Sequence, residues 1–558
     1  MKFNFQFIGM VLLLAIVAFL AVYPVGTIVY GSFRSGSPWL ETHFTLDGYR
    51  QAITEPGIMK ALWWTFSLAA VRTVIVVLVA TFFCWIIVRT DTPGRGILEF
   101  VMWINYFLPV LPMTFGWILL LDSDYGLLNV WAQKLPFISG ALFNIYSFGG
   151  IVWAHLASSI SIRVLLFAPA FRNMDASLEE SARMSGCSNL GTLMRITFPL
   201  LMPSLVGVTL LGFIKMMESF EIELIIGGPA RLFVFSTKVF DLIKTDPPQY
   251  PPAMALSTIF LVIVVAMILV NRWIIERRQY TTVTGKGYRT TPIRVGKWRW
   301  LLFAVCVGYV VIFLVLPFTF LIIGTFMKVT GLFFVSEPYT VKHWQIVLRD
   351  PWFIRSLVNS LIMAFSAAVV GMLIYSFISY IIRRTKVRGR GLLDFMTWLP
   401  VSLPGILLGI GLLWVFLGSF KILVAFYGTL YIIMLAHIIN QMPFGTRMMD
   451  GTMVQIGKDL EESAWMSGAS RISTFRRIMA PLLVPTYVAT SVLIFLNAIR
   501  DVVLAVLLYT PKSRVLSVLM LEHYLGYDYE KGMVVGVIIT FICIVIAFVA
   551  RSLGMKRL

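Results

Sequence analysis

Charge is scarce in this sequence: Asp, Glu, Lys and Arg make up 13% of the 558 residues, against 59% hydrophobic. A soluble domain carries about a quarter charged residues, so that class is excluded, and so is a disordered chain. Cysteine is scarcer still. The four present, Cys84, Cys187, Cys306 and Cys543, show no CxxC spacing, which excludes a disulfide framework and a cysteine metal cluster. They read as small core residues. The phosphate-loop pattern G-x-x-x-x-G-K-[ST] is missing, since Gly285-Lys286-Gly287 lacks the spacing and a flanking strand. The chain is therefore expected not to be an enzyme, and no cofactor or metal site is assigned to it.

What the sequence has is long apolar runs. A span of about 30 Å of hydrocarbon needs roughly 20 such residues. Twelve runs qualify, near 8–31, 61–88, 98–121, 143–169, 200–225, 253–275, 300–326, 356–382, 392–418, 422–446, 482–509 and 533–550. The first follows a lone Lys2 with no small-residue cleavage site behind it, so it reads as a retained span. The net charge of +19 has a membrane explanation. With the N-terminus inside, most Lys and Arg fall on short cytoplasmic segments such as Arg383–Gly391 and Asn271–Trp300, the positive-inside pattern. A nucleic-acid partner is not expected.

The chain also repeats itself. Glu179–Pro199 reads EESARMSGCSNLGTLMRITFP and Glu461–Pro481 reads EESAWMSGASRISTFRRIMAP. Glu180, Ser181, Ala182, Met184, Gly186, Ile196 and Pro199 recur 282 residues later at Glu462, Ser463, Ala464, Met466, Gly468, Ile478 and Pro481. Arg89-Thr90 and Gly94-Arg95-Gly96 recur 295 residues later at Arg384-Thr385 and Gly389-Arg390-Gly391. Thr45, Tyr49 and Pro56 recur at Thr340, Trp344 and Pro351. Two halves of six spans each must run parallel. We expect a first repeat over 1–275, a cytoplasmic linker over 276–299 that acts as a tether, and a second repeat over 300–558.

The repeated loop has its own local logic. Ser177 or Asp459 is expected to cap a short helix, with Glu180 or Glu462 closing a capping box. Glu179 and Glu461 sit at the favourable end of the helix dipole. Ala182 and Ala464 keep one face slim, and Gly186 or Gly468 supplies a turn with positive φ. The expectation is a helix-turn-helix on the cytoplasmic surface, sized for a groove on a partner. The bland alternative is an amphipathic connector that caps two spans.

The pattern E-(S/A)-A-x-x-x-G, nine residues, then I-x-x-P resembles the cytoplasmic coupling loop of permeases in binding-protein-dependent ABC importers with the type I fold. The resemblance covers both halves. Ser181 and Ser463 stand in for the commoner alanine, and Phe198 and Ala480 for the usual leucine. It implies an all-α membrane protein of twelve transmembrane helices in two parallel six-helix repeats. It also implies two copies of an ATP-binding subunit holding ATP and Mg, and an extracytoplasmic substrate-binding protein. The place would be the bacterial inner membrane, multi-pass, with both termini cytoplasmic. The rival class, a twelve-span secondary transporter, would show 3+3 inverted repeats within each half and gives no reason for two docking loops.

Ionisable residues inside spans are costly and by default functional or paired. Lys215, Glu218, Glu221 and Glu223 lie in the fifth span, and Arg500-Asp501 in the eleventh. Glu218 aligns with Arg500 and Ser219 with Asp501. Two readings stand: an inter-half ion pair plus a Lys215–Glu218 pair, or carboxylates lining a path for a hard cation. FIKMMESFEIELIIGGPA is similar to the matching span of fused ferric-iron permeases, which makes ferric iron the expected substrate; fused permeases for thiamine and phosphonate share the architecture. His155 and His437 read as satisfied core residues, and Pro109, Pro112, Pro400 and Pro404 as kinks, with a gate or pore-lining bend as the alternative.

Overall fold

In the computed structural model, residues 5–39, 42–172, 174, 176–277 and 292–552 are described. Lys2, Arg557 and most of the expected linker fall outside them. The described residues are helical, with three isolated β-bridges. By length and composition eight single helices can cross a membrane, and three bent pairs raise the number to eleven. The remaining expected span, 422–446, corresponds to the 26-residue helix Leu430–Gln455. At 1.5 Å per residue that helix is long enough, but Asn440, Gln441, Arg447 and Asp450 dilute its apolar character.

Two of the bent pairs are the expected proline sites. Arg95–Phe107 and Val110–Leu121 meet at 99°, and Arg390–Ser402 and Gly405–Gly418 at 109°. These are breaks, sharper than the expected kinks. Pro109 and Pro404 have no N–H and stand in extended backbone at the corner, each as the N-cap of the next helix.

The chain divides into two compact units that interleave the sequence. One comprises Met1–Glu55, Val239–Leu261 and Trp344–Leu558; the other comprises Pro56–Lys238 and Val262–His343. The repeat is a relation of sequence and the units are a relation of packing, so their boundaries differ. Within the second unit the spine is the 34-residue helix Pro56–Arg89 lying along Phe148–Arg172. Within the first, the 34-residue Pro351–Arg384 lies along Leu430–Gln455 in the same way. Both spines begin at proline, which suits a first turn whose N–H groups have no helical partner. Each follows a short helix, Asp47–Thr54 or Lys342–Arg349, that carries Tyr49 or Trp344.

The two spines are packed by different residues at matched positions. In one unit the Tyr375 ring fills the space a side chain at Gly445 would take, since an added Cβ there would lie 2.1 Å from it. The Tyr375 hydroxyl donates to the Ile438 carbonyl. In the other unit the corresponding residues are Ala80 and Arg163, both buried, with the Arg163 guanidinium set against Gly212.

Candidate functional site

The two repeated loops fold alike. The first is Ala176–Met184, a turn, then Asn189–Thr192 and a wide turn through Leu193–Thr197 into Phe198–Met217. The second is Asp459–Met466, a turn, then Arg471–Thr474 and Phe475–Met479 into Ala480–Arg500. Gly186 has φ +85° and Gly468 φ +83°. The next residue reaches back five positions: the Cys187 N–H donates to the Ala182 carbonyl and the Ala469 N–H to the Ala464 carbonyl, both at 3.0 Å. That is a Schellman ending, and it satisfies the last free carbonyls of the short helix. Ser185 and Ser467 add a hydroxyl bond to Ser181 and Ser463 carbonyls, 2.9 Å in each copy.

In the second copy the start of the helix differs from the expected capping box. The Ser177 side chain lies outside the described residues. Asp459 is the first helical residue, and Lys458 occupies the N-cap position without a side-chain bond. The Lys458 carbonyl accepts from the N–H groups of Glu461 and Glu462. Asp459 thus contributes through the helix dipole alone.

The tandem acids split their roles. Glu180 and Glu462 are exposed, while Glu179 and Glu461 are buried. Glu179 pairs with Arg89 and accepts from the Thr197 hydroxyl at 2.7 Å. Glu461 makes a charge contact with Arg384 Nε at 3.1 Å. Arg384 also donates through Nη2 to the carbonyls of Met453 (2.7 Å) and Ile456 (2.6 Å), at the end of Leu430–Gln455. The Arg-Thr motif and the loop are therefore one construction, although they recur at different offsets. At the tip, Met184 and Met466 are 90% and 87% exposed, with Leu178 and Leu460 also exposed. Two thioethers in matching places, held clear of the protein, suit an adaptable apolar contact.

Among the intramembrane charges, Glu223 has partners that neither expected arrangement named. Phe198–Met217 ends within the unit, and the chain unwinds before Glu223. Arg72 Nη1 meets Glu223 Oε1 at 2.8 Å, and both side chains are fully enclosed. His155 Nε2 touches the same oxygen at 2.9 Å, and Ser219 donates to it as well. Arg72 Nη2 donates to the Met216 carbonyl at 2.7 Å, so the arginine also closes the broken helix end. Neither Arg72 nor His155 was singled out as a partner for Glu223 by sequence; they lie 151 and 68 residues away. Ala367 and Ala505, both buried, occupy the matching places in the other repeat, so this cluster exists once.

The remaining candidates are placed as follows. Lys215 pairs with Glu218 at 2.8 Å, as expected from their spacing, and Glu218 Oε1 has no hydrogen-bond partner among the described residues. Glu221 is half-buried. Arg500 donates to Asn497 at 2.8 Å. Asp501 accepts the Leu504 N–H at 2.9 Å and, through its carbonyl, the Ser517 hydroxyl at 2.7 Å, in the unwound stretch after Ala480–Arg500. His155 is a satisfied residue as expected, while His437 is buried with Nε2 unpartnered among the described residues.

A helical membrane chain with one copy of the same short loop in each half has the layout of a transport permease. Residues 367–554 match the family described as binding-protein-dependent transport system inner membrane component, and the chain belongs to that family. It is similar over 99% of its length to a probable ABC transporter permease protein, y4fN, of Sinorhizobium fredii, with 24% identity covering 97% of that protein. A ferric transport system permease protein, FbpB, of Actinobacillus pleuropneumoniae is 26% identical over 74% of this chain, which spans 60% of that protein's length. A probable sulfate transport system permease protein, cysT, of Chlorella vulgaris is 31% identical over 36% of this chain and 81% of its own.

Proposed function

We propose that this chain is the translocation subunit of an ATP-driven importer of ferric iron in a bacterial inner membrane. The observation that carries the reading is the pair of loops with the same Schellman turn, the same exposed glutamate and the same projecting methionine. Two copies of an ATP-binding subunit would each take one loop, with Glu180, Ser181, Met184 and Gly186 at one contact and Glu462, Ser463, Met466 and Gly468 at the other. ATP and Mg belong to those subunits. An extracytoplasmic binding protein would deliver substrate near the short helices that carry Tyr49 and Trp344.

Ferric iron is supported by the named function of the Actinobacillus relative and by carboxylates at the two helix breaks. Glu218 and Glu221 at one break, and Asp501 next to Arg500 in sequence at the other, each offer hard oxygen ligands of the kind a hard cation takes. Glu223 is spoken for by Arg72 and His155. The sulfate permease relative supports a second reading, an oxyanion substrate. The test is uptake in proteoliposomes holding this chain together with a candidate ATP-binding subunit and a candidate binding protein. ATP-dependent uptake of ferric iron, reduced by Glu218→Gln and Glu221→Gln at unchanged protein level, is the expected result. Uptake of sulfate, thiamine or phosphonate in its place moves the substrate. Uptake driven by an ion gradient without ATP overturns the class.

Both termini and the linker are placed in the cytoplasm by the basic residues around them. A Lys297→Cys variant is expected to resist a membrane-impermeant maleimide in sealed cells and to react once they are opened. Reaction in sealed cells would invert the topology.

A further inference from the structure

We propose that Arg89 and Arg384 are positioning residues that hold the two coupling loops at a fixed height, and that the linker end is built into the first of these supports alone. The proposal rests on the loops being the ATPase contacts. Arg89 and Arg384 are the last residues of the two 34-residue spines. From there each reaches the buried glutamate of the loop, Glu179 or Glu461, as described above. Each contact is enclosed, with side chains no more than 5% exposed. A displacement of the loop is thereby passed to a rigid helix, because separating buried opposite charges is costly.

The Arg-Thr motif is itself braced by the same two bonds in both copies. Thr90 and Thr385 hydroxyls donate to the carbonyls of Ile86 and Ile381 at 2.6 and 2.7 Å. Arg95 and Arg390 donate to the Thr90 and Thr385 carbonyls at 3.3 and 2.7 Å.

One copy has an additional part. The Ile293 N–H donates to the Arg89 carbonyl at 2.7 Å, and the Asp91 N–H donates back to the Ile293 carbonyl at 3.1 Å. The Val295 N–H donates to the Asp91 carboxylate at 3.0 Å. Ile293 is buried, and Thr90 and Ile293 form a parallel bridge. The end of the linker is thus a strap over the backbone of the residue that holds Glu179. At the second copy Lys386 replaces Asp91 and cannot accept the corresponding bond, and among the described residues no bridge forms there. The linker, expected to be a tether, ends as a structural member, and the two loops are unequally supported.

The test is thiol labelling of the full permease at matched positions, Cys187 in the first loop and an Ala469→Cys variant in the second. Cys187 is partly exposed while Cys84, Cys306 and Cys543 are buried, so the probe reads the loop. Ile293→Pro leaves both ion pairs intact and removes the N–H that reaches Arg89. It is expected to raise Cys187 labelling about fivefold, the opening that follows loss of one hydrogen bond with some packing, and to leave the second loop unchanged. Asp91→Ala should give a smaller rise at Cys187 only. The paired change Arg89→Gln with Glu179→Gln should loosen the first loop, and Arg384→Gln with Glu461→Gln the second. In each loosened variant, substrate moved per ATP should fall while ATPase activity persists. Unchanged Cys187 labelling in Ile293→Pro, or an equal rise in both loops, overturns the strap. Loosened loops with an unchanged ratio of uptake to ATP overturn the positioning role and leave the docking reading standing. Failure of the unaltered chain to bind any ATPase overturns the docking reading instead.

Discussion

Glu223→Gln is expected to destabilise the permease by about 3–5 kcal/mol, the cost of leaving a buried charge without its partner. Arg72 would keep its bond to the Met216 carbonyl but lose its counter-ion while remaining buried. Arg72→Met alone should cost a similar amount, because Glu223 would then keep only His155 and Ser219. The double change Arg72→Met with Glu223→Leu should recover most of the loss, since two apolar side chains can replace a buried pair at little cost. Recovery stops short of complete, as the helix end at Met216 loses its donor. Thermal unfolding of the four proteins in detergent, run beside uptake, measures this. If the single variants unfold with the unaltered protein yet lose uptake, Glu223 acts on the substrate and the structural account is wrong.

The second large effect belongs to the loop turns. Proline cannot adopt φ near +85°, and it also pushes the preceding residue out of helical backbone. Gly186→Pro or Gly468→Pro would therefore unmake the Schellman ending and swing Met184 or Met466 away. A displaced conformation costing about 1–3 kcal/mol corresponds to roughly 5- to 150-fold in coupling, and transport should fall by that much. Gly186→Ala and Gly468→Ala meet no atom within 4 Å, so they carry only the backbone penalty, about 1 kcal/mol. The double proline variant should be worse than either single one. Because the turns are exposed, the unfolding temperature should barely move. Full transport at normal ATPase stoichiometry in the proline variants would remove the loops from the coupling path.

The loops were legible because their chemistry is local: a glycine, a short helix and a proline at constant spacing mean the same thing in both copies. Eleven of the expected spans were legible for a similar reason, since hydropathy needs no partner. The Arg89–Glu179 contact was not, because its two ends recur at different offsets, 295 and 282, and so read as separate motifs. The Arg72–Glu223 contact was hidden by the repeat itself. A repeat marks only what recurs, and Ala367 and Ala505 erase this pair from the second copy. Asp459 shows the limit of motif reading at a helix start, where a one-residue shift moves the cap to Lys458. The interleaved units lie beyond any local signal, for compactness is decided by packing across hundreds of residues.

The different bulk at matched positions, Tyr375 with Gly445 in one half and Ala80 with Arg163 in the other, bears on the history of the gene. A duplicated ancestor would have carried one solution in both copies. Each half now holds a large residue on the opposite helix of its pair, and in the second half taking back a single position gives either a clash or a void. Gly445→Arg would drive a guanidinium into the Tyr375 ring, and Tyr375→Ala would empty the space beside Gly445. Changes of this kind act as a ratchet: after the first compensated exchange, the two halves can drift apart one substitution at a time but cannot return the same way.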